Sequence, residues 1–276
     1  MLRVLPLLVA AALALPACGG DDRPADGPAV VVWAVGDGAD GGPAAEAVAE
    51  RIVEDRAARL LYLGDVYETG SAEEFAAHYE PVYGSLAERT DPTPGNHEWP
   101  LHAEGYDPYW SRVKDREMPR WYATRAGGWR LISLNSEVDH EDGSPQVKWL
   151  RSQLRRVGGT CTIVFWHRPF LNAGRYGDQV DVAPFVDALR GHAAIVLTGH
   201  DHNMQRFRPQ DGIVHYVSGA GGHSRYEVES GDPRLAFSDH GHDGALRIQL
   251  RRRRADLAFV ASDATVLDRS SVTCRR

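Results

Sequence analysis

The sequence predicts an α/β fold, a four-layer α-β-β-α sandwich of two packed mixed sheets flanked by helices, forming one domain over residues 29–276. Three observations carry this. Short apolar runs of strand length alternate with helically periodic segments through the first two thirds of the chain, and the last third reads almost entirely as strands. Chemically active side chains follow several of the strand-like runs, which places them along one edge of the sheets. A chain of 276 residues with 43% hydrophobic side chains is long enough for one large α/β domain with a substantial core.

Taken in order, the first run is Val30-Val31-Val32-Trp33-Ala34-Val35 and the second is Leu60-Leu61-Tyr62-Leu63. Both are continuously apolar, as strands buried on both faces should be. Strands are expected over 30–35, 59–63, 129–135, 161–166, 194–198, 212–218, 245–250 and 255–261. Helical periodicity covers 43–58, 72–83, 144–157 and 182–191, with Pro43 and Pro184 near helix starts, where proline is tolerated. The tract from Pro100 to Arg120, with Tyr106, Tyr109 and Trp110, reads as a long aromatic loop that either covers the functional edge or packs as an ordered insertion. Four arginines, 251–254, read as a solvated hairpin turn, with contact to anionic lipid headgroups as the alternative. The formal net charge of -7 argues against generic nucleic-acid binding, and a monomer is expected.

The first residues look like a bacterial lipoprotein signal: Arg3, a mostly apolar Val4 to Ala17 too short to span a membrane, then Leu15-Pro16-Ala17-Cys18. This reading gives a signal peptide over 1–17, a lipid on Cys18 and a flexible Gly-, Asp- and Pro-rich tether over 18–28. The domain would then sit on the outer face of the cell membrane. Pro16 is unusual at its place, and an ordinary secretory signal is the competing reading. With Cys18 lipidated, Cys161 and Cys274 are left as a pair in an oxidising compartment, so a disulfide is expected, two separate thiols being the alternative.

Five segments carry the chemistry: Gly36-Asp37-Gly38, Gly64-Asp65-Val66-Tyr67, Gly95-Asn96-His97-Glu98, Trp166-His167-Arg168-Pro169 and Gly199-His200-Asp201-His202. Their carboxylate, amide and imidazole groups make a mixed oxygen and nitrogen donor set that suits a pair of divalent or trivalent ions such as iron, zinc or manganese. If 195–202 is extended, His200 and His202 point the same way and Asp201 points elsewhere. An Asp after Gly at a strand end can also be a simple cap or turn former.

The order and wording of these segments resemble the calcineurin-like metallophosphoesterases, and among them the purple acid phosphatases. Gly95-Asn96-His97-Glu98 and Gly199-His200-Asp201-His202 are the most specific pieces, supported by the Gly-rich turn Ser218-Gly219-Ala220-Gly221-Gly222. The resemblance implies that Asp65 bridges two ions, that Asp37 and His202 serve the first, and that Asn96, His167 and His200 serve the second. It implies hydrolysis of a small phosphate ester by a metal-activated hydroxide, with His97 as proton donor. Ala39 stands where many relatives place a histidine, and Tyr67 lies two residues after Asp65, where purple acid phosphatases have a tyrosine three residues on. Tyr67 is therefore either a ligand or a neighbour with its hydroxyl hydrogen-bonded. Arg168 and His223, with Glu98, Arg175 and Tyr176, are candidates to line the substrate pocket. The reading from a different class is a surface lipoprotein that binds metal without turnover.

Overall fold

The computed structural model describes residues 28–155, 161–192 and 194–274. The expected signal peptide, Cys18 and all of the tether except Pro28 lie outside the described residues. Among the described residues there are thirteen strands: β1 (Val30–Val35), β2 (Arg59–Tyr62), β3 (Thr90–Pro92), β4 (Tyr122–Ala126), β5 (Trp129–Ser133), β6 (Thr162–Phe165) and β7 (Ile195–Thr198), then β8 (Met204–Phe207), β9 (Val214–Ser218), β10 (Leu235–Asp239), β11 (Gly244–Leu250), β12 (Arg254–Ala261) and β13 (Val266–Thr273). They form a six-stranded sheet, β13-β12-β11-β1-β2-β3, and a seven-stranded sheet, β10-β8-β9-β7-β6-β5-β4. Each has a parallel centre, β1-β2-β3 in one and β5-β6-β7-β9 in the other, with antiparallel strands outside it.

Side-chain alternation along the strands builds the four layers. Val32 and Ala34 of β1 join Leu246, Ile248, Leu131, Ile163 and Leu197 in the core between the sheets. Trp33 and Val35 point the other way, against Ala45, Val48 and Ile52 of helix Pro43–Glu54. On the far side, Val164 and Val196 meet Leu150 of helix Pro145–Arg155 and Phe185 and Leu189 of helix Ala183–Leu189. The predicted sandwich is the observed one.

The aromatic tract resolves in favour of an ordered insertion. Tyr106, Tyr109 and Trp110 lie three and four residues apart, so helix Tyr106–Lys114 turns all of them inward against Phe75 and Tyr79. The arginines 251–253 make the expected hairpin turn between β11 and β12, and Arg254 opens β12. Cys161 and Cys274, 113 residues apart in sequence with Cα atoms 5.5 Å apart, form a disulfide that joins the start of β6 to the end of β13. Among the described residues no helix is long and apolar enough to cross a membrane.

Candidate metal centre

The parallel strands β1, β2, β6 and β7 all end at the same edge, and each releases its functional residues into a tight turn. Asp37 (φ 61°), Asp65 (φ 69°) and His200 (φ 71°) all sit in the left-handed region, which side chains with a Cβ adopt reluctantly. Gly64 (φ 100°) allows the turn before Asp65: a Cβ there would lie 2.7 Å from the His167 Nδ1 and from the Gly95 nitrogen. The left-handed His200 also corrects the expectation of an extended 195–202. The strand stops at Thr198, and a turn delivers the two histidines to different parts of the site. Asp201 does point away, as expected, accepting hydrogen bonds from Asn172 Nδ2 (2.5 Å), Asn203 Nδ2 (2.9 Å) and the Tyr176 amide (3.2 Å).

Two groups of donors meet at Asp65. Around the Tyr67 hydroxyl lie Asp37 Oδ1 (3.1 Å), Asp65 Oδ2 (3.3 Å) and His202 Nε2 (2.9 Å). Around His167 Nε2 lie Asn96 Oδ1 (3.0 Å), His200 Nδ1 (3.1 Å) and the same Asp65 Oδ2 (3.3 Å). Ligand atoms of Asp65, His167 and His200 all lie within 4.8 Å of one another. Tyr67 therefore reaches the first group despite standing only two residues after Asp65, because the left-handed Asp65 turns the chain sharply.

The donor chemistry fits a cation in each group. His167 Nδ1 donates to the Leu63 carbonyl at 2.8 Å, so in the neutral ring Nε2 carries a lone pair. That lone pair faces a carboxylate oxygen and an amide oxygen, acceptors that gather stably only around a positive charge. Burial pushes His167 down, but Asp65 outweighs it and brings the imidazole up to about 10. Burial, reinforced by His167 near His200 and by His223 near His202, lowers His200 and His202 to about 3, so both stay neutral with lone pairs free. Burial would raise Asp65, but His167 and His97 hold it below the usual carboxylate range. Asp37, where burial dominates, is raised.

The remaining sequence-predicted residues are distributed around this centre. His97 donates its backbone N–H to Asp65 Oδ1 (3.1 Å), and its Nδ1 lies 2.6 Å from the Glu68 carbonyl. Its Nε2 is thereby left 3.9 Å from Asp65 Oδ2, with the side chain 31% exposed at the mouth of the site. His223 stacks on the Tyr67 ring at 3.7 Å and places Nδ1 3.2 Å from Asp40. The Arg168 guanidinium is engaged by Asp181 (2.6 Å), the Ser136 carbonyl (2.9 Å) and Glu137 (3.2 Å). Glu98 is turned inward, not toward a pocket: its buried carboxylate accepts from the Asp65 and Val66 amides at 3.1–3.2 Å. Tyr176 stacks on His200 at 4.5 Å, and the unanticipated Tyr226 stacks on His202 at 4.1 Å. Ser224 Oγ, also unanticipated, lies 2.7 Å from His202 Nδ1. Only the adjoining Gly-rich turn hinted that this loop returns to the site.

Two mixed sheets that bring carboxylate, amide and imidazole donors to one edge define the metallophosphatase class of α/β sandwich. The family model for calcineurin-like phosphoesterases matches residues 12–204, and the chain belongs to that family. The curated relatives it matches include purple acid phosphatases. It is 29% identical over 96 residues to purple acid phosphatase 21 of Arabidopsis thaliana, covering 32% of this chain and 22% of that one. It is 23% identical over 157 residues to tartrate-resistant acid phosphatase type 5 of Rattus norvegicus, covering 52% and 48%. The chain thus spans less than half the length of each of these curated relatives. Among solved structures, purple acid phosphatase PPD1 from yellow lupin seeds superposes with a TM-score of 0.75 at 18% identity, covering 88% of this chain and 53% of that one. GAP50, the anchor in the inner membrane complex of Plasmodium, gives 0.74 at 16% identity, covering 90% of each chain. These structural likenesses show a shared fold.

Proposed function

We propose that this chain hydrolyses phosphate esters at a dinuclear centre, the first ion held by Asp37, Asp65, Tyr67 and His202 and the second by Asp65, Asn96, His167 and His200. The observation that carries the reading is the pair of donor groups sharing Asp65. Two ions so held would polarise the phosphoryl oxygens and lower the pKa of a coordinated water. The chain's own residues supply the rest. Neutral imidazoles leave the centre net positive toward an anionic ester, and Glu98 holds the Asp65 turn from below. His97, oriented by the Glu68 carbonyl, keeps Nε2 toward the opening, where it can hand a proton to the departing oxygen. His223, packed on Tyr67, forms the adjoining wall.

The leader-like sequence and the disulfide support export with a lipid on Cys18 as part of the same proposal. The decisive experiment loads the purified protein with manganese, zinc or iron and offers a chromogenic phosphomonoester and a phosphodiester. Turnover of at least one is expected, reduced roughly 10²- to 10³-fold in His97→Ala with bound metal unchanged. Tight metal binding without turnover of either ester would establish the non-catalytic metal-binding alternative. Undiminished activity in His97→Ala would remove that residue from the mechanism.

A further inference from the structure

The end of the sandwich opposite the metal centre carries a concentration of arginine that the hydrolytic reading does not use. Arg252 is exposed on the turn between β11 and β12 and Arg254 is exposed at the start of β12, with Arg251 and Arg253 half-buried beside them. Exposed Arg125 stands on β4 near the β4–β5 turn, whose Gly127 abuts Leu250 and Val30 at the same end of the sandwich. Among the described residues the one carboxylate engaging these five is Asp256, 2.7 Å from Arg254 Nε and 3.9 Å from Arg251 Nε. This excess of positive charge sits on a chain whose net charge is -7.

The turn is rigidly presented. Trp129 Nε1 donates to the Arg251 carbonyl (2.6 Å), the Cys274 amide donates to the Arg253 carbonyl (3.0 Å), and Arg253 Nη2 donates to the Cys274 carbonyl (2.7 Å). Val30 pairs with Leu250, so the segment running back to Cys18 leaves the fold beside these arginines. From Val30 to Asp37 the chain climbs about 20 Å along β1, so the basic end and the metal centre face opposite ways.

We propose that this arginine end is a docking face for an anionic phospholipid bilayer, holding the domain upright with its metal centre turned away from the lipid. The position of the chain's exit and the local charge favour a membrane over a nucleic acid, which the net negative charge of the remaining surface would repel. The proposal stands apart from the catalytic reading, since none of these residues touches the site.

The test uses the chain from Gly19 to Arg276, which keeps every described element but has neither leader nor lipid. Sedimentation with vesicles of phosphatidylcholine containing phosphatidylglycerol should show binding that is absent on pure phosphatidylcholine and abolished by 0.5 M salt, a level of salt that shortens the screening length to about half of its physiological value. The double variant Arg252→Glu/Arg254→Glu should bind at least roughly thirtyfold more weakly. Arg125→Glu, on a different hairpin, should weaken binding if the double variant fails to fold. Arg112→Glu, the same charge change on helix Tyr106–Lys114, should bind normally. Equal binding to both vesicle types, no binding to either, indifference of binding to the arginine reversals, or tighter binding to a nucleic acid duplex would each overturn the proposal.

Discussion

Replacing Cys161 and Cys274 together by serine removes the one covalent cross-link in the described fold, and its effect can be worked from loop length. The bridge closes 113 residues. In the chain-entropy treatment a loop of that size restrains the unfolded chain by about 5 kcal/mol. For a domain of this size that corresponds to roughly 10–20 °C in the midpoint of thermal unfolding. Turnover per folded molecule should survive. Cys161 lies six residues before His167, about 20 Å down the strand, so the site keeps its geometry while the fold loses stability. Calorimetry of the oxidised protein, the reduced protein and the double-serine variant provides the comparison, with intact mass before and after reduction counting the bond. An unchanged mass on reduction, or a double-serine protein within about 1 kcal/mol of the parent, would refute this reasoning.

Loaded with ferric iron, the protein should show a visible phenolate band that disappears in Tyr67→Phe; a colourless iron-loaded parent would remove Tyr67 from the donor set. Glu98→Ala strands two buried amides and should destabilise by about 2–4 kcal/mol in urea unfolding, whereas Glu98→Gln keeps an acceptor and should recover most of the loss. His215, 4% exposed on β9, is lowered by burial to about 4, against an ordinary value of 6.5. The unfolded chain takes up this proton below pH 6.5 and the folded one does not, so stability falls as pH drops from 6.5 to 4, by up to about 3 kcal/mol. Unfolding of His215→Leu measured at pH 7 and pH 4.5 should show a smaller acid loss than the parent; an equal loss would exclude His215 as its source.

Strands β1 and β2 were legible because burial on both faces makes their sequences continuously apolar. The edge strands were not. β13 reads Val-Leu-Asp-Arg-Ser-Ser-Val-Thr, half-exposed, with only Val272 fully buried, and β3 is three residues long, so neither carries a pattern. Helix Tyr106–Lys114 was obscured by Pro108 and by aromatics that suit loops as well as cores. The metal-ligand candidates were readable because each stands in a short motif at the end of a buried strand. Left-handed backbone at Asp37, Asp65 and His200 was not, because it is fixed by packing between strands. The extended reading of 195–202 therefore missed the turn at His200. Tyr226 and Ser224 carried no motif of their own, since their role depends on a loop returning over His202, at which only the neighbouring Gly-rich turn hinted.

The disulfide and the candidate metal centre occupy opposite ends of the sandwich, and each draws on both sheets. Asp37, Asp65 and Asn96 come from the six-stranded sheet, His167, His200 and His202 from the seven-stranded one, while Cys161 and Cys274 link the same two sheets below. Between them the sheets share a core of interdigitated apolar side chains. A sandwich clasped top and bottom cannot gape like a hinged book, so local opening is confined to its flanks, at β3 with β4 or β10 with β13. Amides on β1, β6 and β7 should therefore exchange with solvent only through global unfolding, and releasing both clasps should turn one cooperative unit into two sheets that loosen separately.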